Sequence, residues 1–322
     1  MPQLLAMVQN GTIPPLAWGM VAVVAFLCLG SLAAILIPRT AGSASYADLK
    51  PRMASWWVMA ALVTAGVIGG WQATAALFAL VSFLALREFL SLAPARQEDR
   101  IPILLAYLTI PIAYLFIVVN IYMFYLVFIP VYVFLALPFI MACIGQTRGY
   151  LASTASFHWG LVTCVYNLGF IPLLMRVPRW DAPQAGAVGL VFMLLVATEA
   201  NDVFQYVCGK MFGRTKITPK VSPNKTWEGL IGGWVLTSGL FLLIGPMFTP
   251  LHGVGLWVTA LALPPAGFAG DLTFSAIKRD IGVKDTSHLI PGHGGMLDRL
   301  DSLTFTSPLY FHLLAYYSLA TY

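Results

Sequence analysis

Charge is what this sequence has least of. Only 10% of its 322 residues are Asp, Glu, Lys or Arg, where a soluble domain has about 25%; 59% are hydrophobic, and the mean hydropathy is +0.82. No polar stretch approaches the roughly 50 residues that a soluble domain needs, so an ordinary soluble fold is excluded. Metal-ligand spacing is also missing. Cys28, Cys143, Cys164 and Cys208 are scattered in or beside apolar runs, and the five histidines form no HExxH and no pairing with a CxxC. A zinc site is therefore not expected, and the cysteines read as small buried apolar residues. There is no internal repeat of the kind that transporters build their halves from. The residues before the first apolar run hold no Lys or Arg. That run is expected to be a retained transmembrane helix rather than a signal peptide, which wants a positive leading region.

What fills the chain instead is a series of apolar runs, each long enough to cross a hydrocarbon core of about 30 Å. Ten are predicted, at 15–38, 54–71, 73–93, 101–119, 121–143, 157–175, 185–208, 229–248, 255–278 and 303–320. The fold class is all-α, a polytopic helical bundle of nine or ten spans; a β-barrel would show short alternating segments. The second and third runs meet at Gly70-Trp71 and the fourth and fifth at Asn120, so tight hairpins are expected there, with nine spans the alternative.

Basic residues test the topology. With the N-terminus outside, Arg39, Lys50, Arg52, Arg87, Arg96, Arg100, Arg148, Lys210, Arg214, Lys216, Lys220, Lys225, Lys278, Arg279, Lys284 and Arg299 fall on one side, and only Arg176 and Arg179 on the other. The positive-inside rule then places the charged loops in the cytoplasm and both termini outside. Trp56, Trp57, Trp71, Trp159, Trp180, Trp227 and Trp257 fall near predicted span ends, as interfacial aromatics do. Residues 1–184 read as a helical scaffold with Glu88 the one acid in its apolar segments. Residues 185–322 read as the catalytic part, because acids and lysines enter its helices and loops.

Three features of that second part carry chemistry. Glu199-Ala200-Asn201-Asp202 lies inside an apolar run, where an ionised acid costs about 3 kcal/mol on insertion scales and so faces a cavity or a partner. A polar contact between helices is the bland account. The loop 209–229 alternates five basic residues with Gly, Pro, Ser and Thr, a composition that anionic headgroups alone would explain. Its end, Ser222-Pro223-Asn224-Lys225-Thr226-Trp227-Glu228-Gly229, is more specific. Pro223-Asn224 favours a turn, Lys225 or Thr226 starts the next helix with Glu228 in its first turn, and such a helix start suits phosphate.

The third feature, 270–301, places nine charged residues in GDLTFSAIKRDIGVKDTSHLIPGHGGMLDRLD. Pro264-Pro265 should break or kink the helix leading into it. Asp271, Ser275 and Lys278 then share one face at i, i+4 and i+7, with a mutual Asp271–Lys278 pair as the bland account. Pro291-Gly292-His293-Gly294-Gly295 can bring backbone close to a ligand, and Asp298, Arg299 and Asp301 follow at once. Two carboxylates from different elements, Asp271 and Asp298, suit a hard cation such as Mg²⁺ that completes its shell with water and phosphate oxygens. The residues alone thus describe a membrane-embedded site for a metal and a polyphosphate, facing the cytoplasm, for nucleotidyl or phosphoryl transfer to something lipid-soluble.

The run Ser275-x-x-Lys278-Arg279-x₄-Lys284-Asp285-x₅-Pro291-x-His293-Gly294-Gly295-x-x-Asp298-Arg299-x-Asp301 resembles the signature of the phosphatidate cytidylyltransferases, or CDP-diacylglycerol synthases. Asn201-Asp202-x₃-Tyr206, Phe212-Gly213-Arg214 and Ser222-Pro223-x-Lys225-Thr226-Trp227-Glu228-Gly229 are similar to the family as well. The strong resemblance covers about 195–305; Phe204-Gln205 departs from it, standing where many members have small residues. The resemblance implies a bacterial inner-membrane enzyme that joins CTP and phosphatidic acid, releases pyrophosphate, and uses Mg²⁺, often with K⁺ alongside. It also implies a homodimer in the lipid bilayer and no nucleic-acid partner. On that basis Asp271 and Asp298 would hold the metal and act catalytically with Lys278 and Ser275. Ser222, Lys225, Thr226, Glu228, Asp202, Arg279, Lys284, His293, Gly294, Gly295 and Arg299 would bind or frame substrate. A synthase for another lipid phosphate, a polyprenol kinase and, at more distance, a transporter are the competing readings.

Overall fold

The computed structural model describes residues 15–36, 49–93, 96, 98–176 and 185–319. Arg39, Arg179, Trp180 and both chain ends, on which part of the topology expectation rests, lie outside the described residues. Ten helices follow in order: α1 Pro15–Leu36, α2 Leu49–Ile68, α3 Trp71–Leu92, α4 Arg100–Val118, α5 Tyr122–Cys143, α6 Tyr150–Arg176, α7 Gly186–Phe212, α8 Trp227–Phe248, α9 Gly253–Asp280 and α10 Leu297–Leu319. Nine are long and apolar enough to cross a membrane. The other, α10, carries Asp298, Arg299 and Asp301 in its first turns. The protein is a multi-pass membrane protein. Large apolar side chains such as Leu29, Leu104, Phe139 and Leu243 stay exposed on its flanks, where lipid solvates them.

The hairpin expectations hold. Gly70 turns the chain between α2 and α3 with φ of 90°, and Asn120 does so between α4 and α5 with φ of 61°, a left-handed conformation that Asn tolerates better than most residues. Several helices outrun their apolar runs. α2 starts at Leu49, α6 at Tyr150 and α10 at Leu297, so Trp159 sits well inside α6 rather than near its start. Charged and polar residues extend these helices beyond what hydropathy alone can mark.

Two expectations are corrected. Of the break or kink expected at Pro264-Pro265, the break does not occur: α9 is helical from Gly253 to Asp280. The prolines lack the N–H groups that would bond the carbonyls of Ala260 and Leu261, four residues earlier. α8 supplies the missing donors: Ser238 Oγ donates to Ala260 O at 2.8 Å and Trp234 Nε1 to Leu261 O at 2.9 Å. Asn201 Nδ2 of α7 adds a bond to Pro264 O at 3.1 Å. The bundle is all-α as expected, and the second correction is local: a small hairpin replaces the turn expected at Pro223-Asn224. β1 Lys216–Thr218 and β2 Ser222–Thr226 pair antiparallel, with Lys216 opposite Thr226 and Thr218 opposite Ser222. Pro223 and Asn224 therefore lie in a strand, and the turn falls at 219–221. Pro is tolerated because a two-stranded ribbon has only edges.

Glycines set how closely α7 and α8 approach. A Cβ on Gly233 would collide with Gln205, one on Gly229 would lie 2.9 Å from Gln205 O, and one on Gly232 2.7 Å from Cys208 Sγ. Gln205, the bulky departure from the family pattern, is thus accommodated by the glycine opposite it. Arg176 stacks 4.1 Å over Trp71 and its Nη2 bonds Val118 O. These three mark one end of the bundle, while the helix ends and strand carrying Arg52, Glu88, Lys225 and Asp298 meet at the other.

Ser238→Ala should cost about 1–3 kcal/mol by stranding a buried carbonyl. A lowered thermal midpoint of the detergent-solubilised protein is the expected result; an unchanged midpoint would show that the proline-freed carbonyl needs no donor.

Candidate active site

The C-terminal half of α9 presents Asp271, Ser275 and Lys278 on one face, but Asp271 and Lys278 each take a partner from elsewhere. Lys225 Nζ of β2 lies 2.5 Å from Asp271 Oδ2, and Ser275 Oγ donates to Asp271 Oδ1 at 3.3 Å. Lys278 Nζ lies 2.7 Å from Asp298 Oδ1 of α10. The second pair is the more enclosed, with side-chain exposures of 13% and 5% against 15% and 32% for the first. Removing one member of such an enclosed pair leaves an uncompensated charge worth about 3–5 kcal/mol. Lys225 also lies 4.5 Å from the centroid of the Phe268 ring.

The hairpin that delivers Lys225 is tied at three points. Thr226, one of the two starts expected from the sequence, is the N-cap of α8, its hydroxyl accepting from Gly229 N at 3.2 Å. Glu228, in the first turn, accepts from Arg214 N and Thr215 N at 3.0–3.2 Å. Arg279 of α9 donates to Val221 O and Val283 O. Thr226, Glu228 and Arg279 therefore hold the hairpin that carries Lys225, and Ser222 opens β2. Lys284 and Arg299 are exposed at the same end of the bundle.

The glycine-rich loop is shaped by the protein's own carboxylates. Asp298 Oδ2 accepts from Thr286 N, Thr286 Oγ1 and Gly295 N, each at 2.9 Å. Gly294 has φ of 83°, and a Cβ there would lie 2.7 Å from Asp298 Oδ2; one on Gly295 would collide with Glu88 and Thr286. His293 packs edge-on to Trp56, ring centroids 6.2 Å apart. The loop's small residues thus make room for Asp298 and Glu88.

A second group of acids converges beneath Lys225. Asp202, Asp271 and Asp301 lie close enough to repel one another, with Glu199 a further neighbour of Asp202. Ser302 Oγ donates to both oxygens of Asp202 at 3.0–3.2 Å, and Thr198 and Thr306 share a hydroxyl bond of 2.9 Å one turn away. Gly270 allows the approach, since a Cβ there would collide with Asp301 O. Carboxylate oxygens of this kind are the hard donors that a divalent cation prefers. Among the described residues no three Asp, Glu, His or Cys side chains are gathered as a complete metal cage. Mg²⁺ would need only one or two carboxylates here, with water and substrate phosphate completing its shell.

Comparison with known proteins bears on these same residues. The profile of the "Cytidylyltransferase family" matches residues 50–317. The chain belongs to the cytidylyltransferase family. Family members include "Uncharacterized protein YnbB" of Escherichia coli K12, 42% identical over 269 residues, which are 84% of this chain and 88% of that one. A "Phosphatidate cytidylyltransferase" of Haemophilus influenzae is 43% identical over 143 residues, 43% of this chain and 50% of its own length. One of Mycobacterium leprae is 44% identical over 142 residues, 43% and 45% of the two chains. The match thus spans about half the length of the relatives that carry that name.

The family signature marked Lys278, Asp298 and the glycines but gave no sign of what holds them. Glu88, Thr286, Ser287, Arg52 and Ser55 all bond within or to the glycine-rich loop. Only Glu88 left a trace in the sequence, as a lone acid in an apolar helix.

Burial, with Arg299 and Arg52 nearby, pulls the His293 imidazole down to about 4, below the ordinary value of about 6.5. Because the folded value is depressed, His293 contributes stability fully above pH 6.5 and loses it as the pH falls through about 4. His293→Gln should therefore flatten the fall in thermal midpoint between pH 6.5 and 4; an identical pH profile in both proteins would contradict the buried neutral imidazole.

Proposed function

We propose that this protein transfers the cytidylyl group of CTP to phosphatidic acid, giving CDP-diacylglycerol and pyrophosphate. The observation that carries the reading is the pair of lysine–aspartate bridges on α9, both inside the family match, with Lys278–Asp298 also inside the signature. The phosphatidate phosphate is already anionic near neutral pH, so the reaction needs no strong general base. What opposes attack on the α-phosphorus is repulsion between that phosphate and the triphosphate.

The charged end answers that repulsion by exchanging partners. When phosphates enter, Lys225 and Lys278 release Asp271 and Asp298 and turn to phosphate oxygens, where positive charge stabilises the transferring group. Ser275, already bonded to Asp271, is placed to donate to the same oxygens. Asp271 and Asp298, freed of their lysines, would hold Mg²⁺. Bound there, Mg²⁺ would neutralise phosphate charge and polarise the α-phosphate. The active site faces the cytoplasm, the source of CTP, a placement supported by the sixteen-to-two split of basic residues. The lipid enters sideways from the leaflet. A homodimer in the bacterial inner membrane belongs to the same proposal and rests on the family resemblance.

Purified protein given phosphatidic acid and CTP labelled in either the α- or the γ-phosphate should put only α-label into lipid; γ-label in lipid would mean a kinase, and none a different activity. Asp271→Asn should abolish turnover and Lys278→Ala should reduce it far more than Arg148→Ala, an exposed change away from the site. Substantial Mg²⁺-dependent turnover in Asp271→Asn would remove that carboxylate from the metal.

A further inference from the structure

Glu88 is the single acid in α3, a helix otherwise built from apolar and small residues apart from Gln72 and its neighbour Arg87. It is buried, 7% exposed. A carboxylate in such a helix is costly unless its oxygens are fully engaged. Both are. Oε1 accepts from Leu297 N at 3.2 Å and from the Thr286 hydroxyl; Oε2 accepts from Met296 N and Ser287 Oγ, each at 2.9 Å. All four donors belong to the loop between α9 and α10 or to the start of α10. Met296 N and Leu297 N are helix-start amides that the helix cannot satisfy itself. A carboxylate from a helix about two hundred positions earlier thus caps α10, at the end where the helix dipole favours negative charge.

We infer that Glu88 is a positioning residue for the transfer reaction, setting the Asp298 carboxylate through Thr286 and Gly295. This inference rests on the cytidylyltransferase reading. The Thr286 hydroxyl lies between the two carboxylates, bonded to Glu88 Oε1 and 2.9 Å from Asp298 Oδ2. It has one proton, so it serves one acid at a time and couples their positions. Gly295, whose amide holds Asp298, is shaped to pass the Glu88 carboxylate, which a Cβ there would strike. Asp298 in turn holds Lys278. The relay runs from α3 through Glu88, Thr286 and Asp298 to Lys278. α2 holds the far side of the loop separately: Arg52 Nε bonds Gly292 O at 2.9 Å and Ser55 Oγ bonds Pro291 O at 2.8 Å. A change at Glu88 therefore leaves the loop anchored while loosening the part that carries Asp298.

The test compares full-length wild type, Glu88→Gln, Thr286→Val and the double variant in lipid nanodiscs. Each single change should lower kcat by about 10- to 100-fold, as loss of a ligand-orienting partner does, with a much smaller change in KM for CTP. The double variant should be little worse than the worse single one, because both cut the same relay. Amide hydrogen exchange provides a readout free of substrate. Glu88→Gln should speed exchange at Thr286 and Gly295, the amides that hold Asp298, as well as at Met296 and Leu297. Unchanged exchange at Thr286 and Gly295, or rate losses that multiply in the double variant, would overturn the inference. If wild type forms no CDP-diacylglycerol, the functional reading fails, while the exchange result still decides whether Glu88 governs the shell of Asp298.

Discussion

Two lysine–aspartate pairs share helix α9, and much of the charged end of the protein exists to keep both of them intact. A carboxylate near the apolar interior is stable only when paired or fully hydrogen-bonded. Asp271 meets that condition with Lys225 and Ser275, and Asp298 with Lys278, Thr286 and Gly295. Each pair crosses from α9 to a different element, so satisfying the charges also fixes β2 and α10 against α9. Charged groups that would otherwise unfold a membrane helix here hold three elements together. In the proposed reaction the same pairs are the ones that open, the lysines going to phosphate and the carboxylates to the cation.

The apolar part of the bundle serves that end by close helix approach and by managing its prolines. Gly229, Gly232 and Gly233 let α8 lie against α7 at Gln205 and Cys208, the small-residue packing that stands in for the hydrophobic effect between membrane helices. α8 is then near enough to α9 for Ser238 and Trp234 to reach the carbonyls that Pro264 and Pro265 leave open. An unbroken α9 keeps Asp271 and Lys278 in fixed rotation relative to the helix's apolar half, where a break would have released them.

Much of this was legible in the sequence, for physical reasons that also set the limit. Hydropathy located the ten helices because each must bury or lipidate an apolar surface. Helical spacing put Asp271, Ser275 and Lys278 on one face, and the start of α8 was expected at Lys225 or Thr226, within two residues of where it falls. Spacing names a face but not the group opposite it. Lys225 and Asp271 are 46 positions apart, and Glu88 and Thr286 are 198 apart, so those partnerships depend on packing. The intact α9 was hidden because its donors come from another helix. The β-hairpin was hidden because Ser222–Thr226 has turn-forming residues held extended by pairing with β1. Glu88 was the exception: its cost in an apolar helix is visible in sequence, and only its destination was missing.

The central claim is that Lys225 and Lys278 leave their aspartates for phosphate when nucleotide and Mg²⁺ bind. An experimental structure of the protein with Mg²⁺ and a non-hydrolysable CTP analogue tests it most directly. The account predicts both Nζ atoms within hydrogen-bonding distance of phosphate oxygens, with Asp271 and Asp298 turned to the cation. Nucleotide bound while both lysine–aspartate bridges stay closed would contradict it.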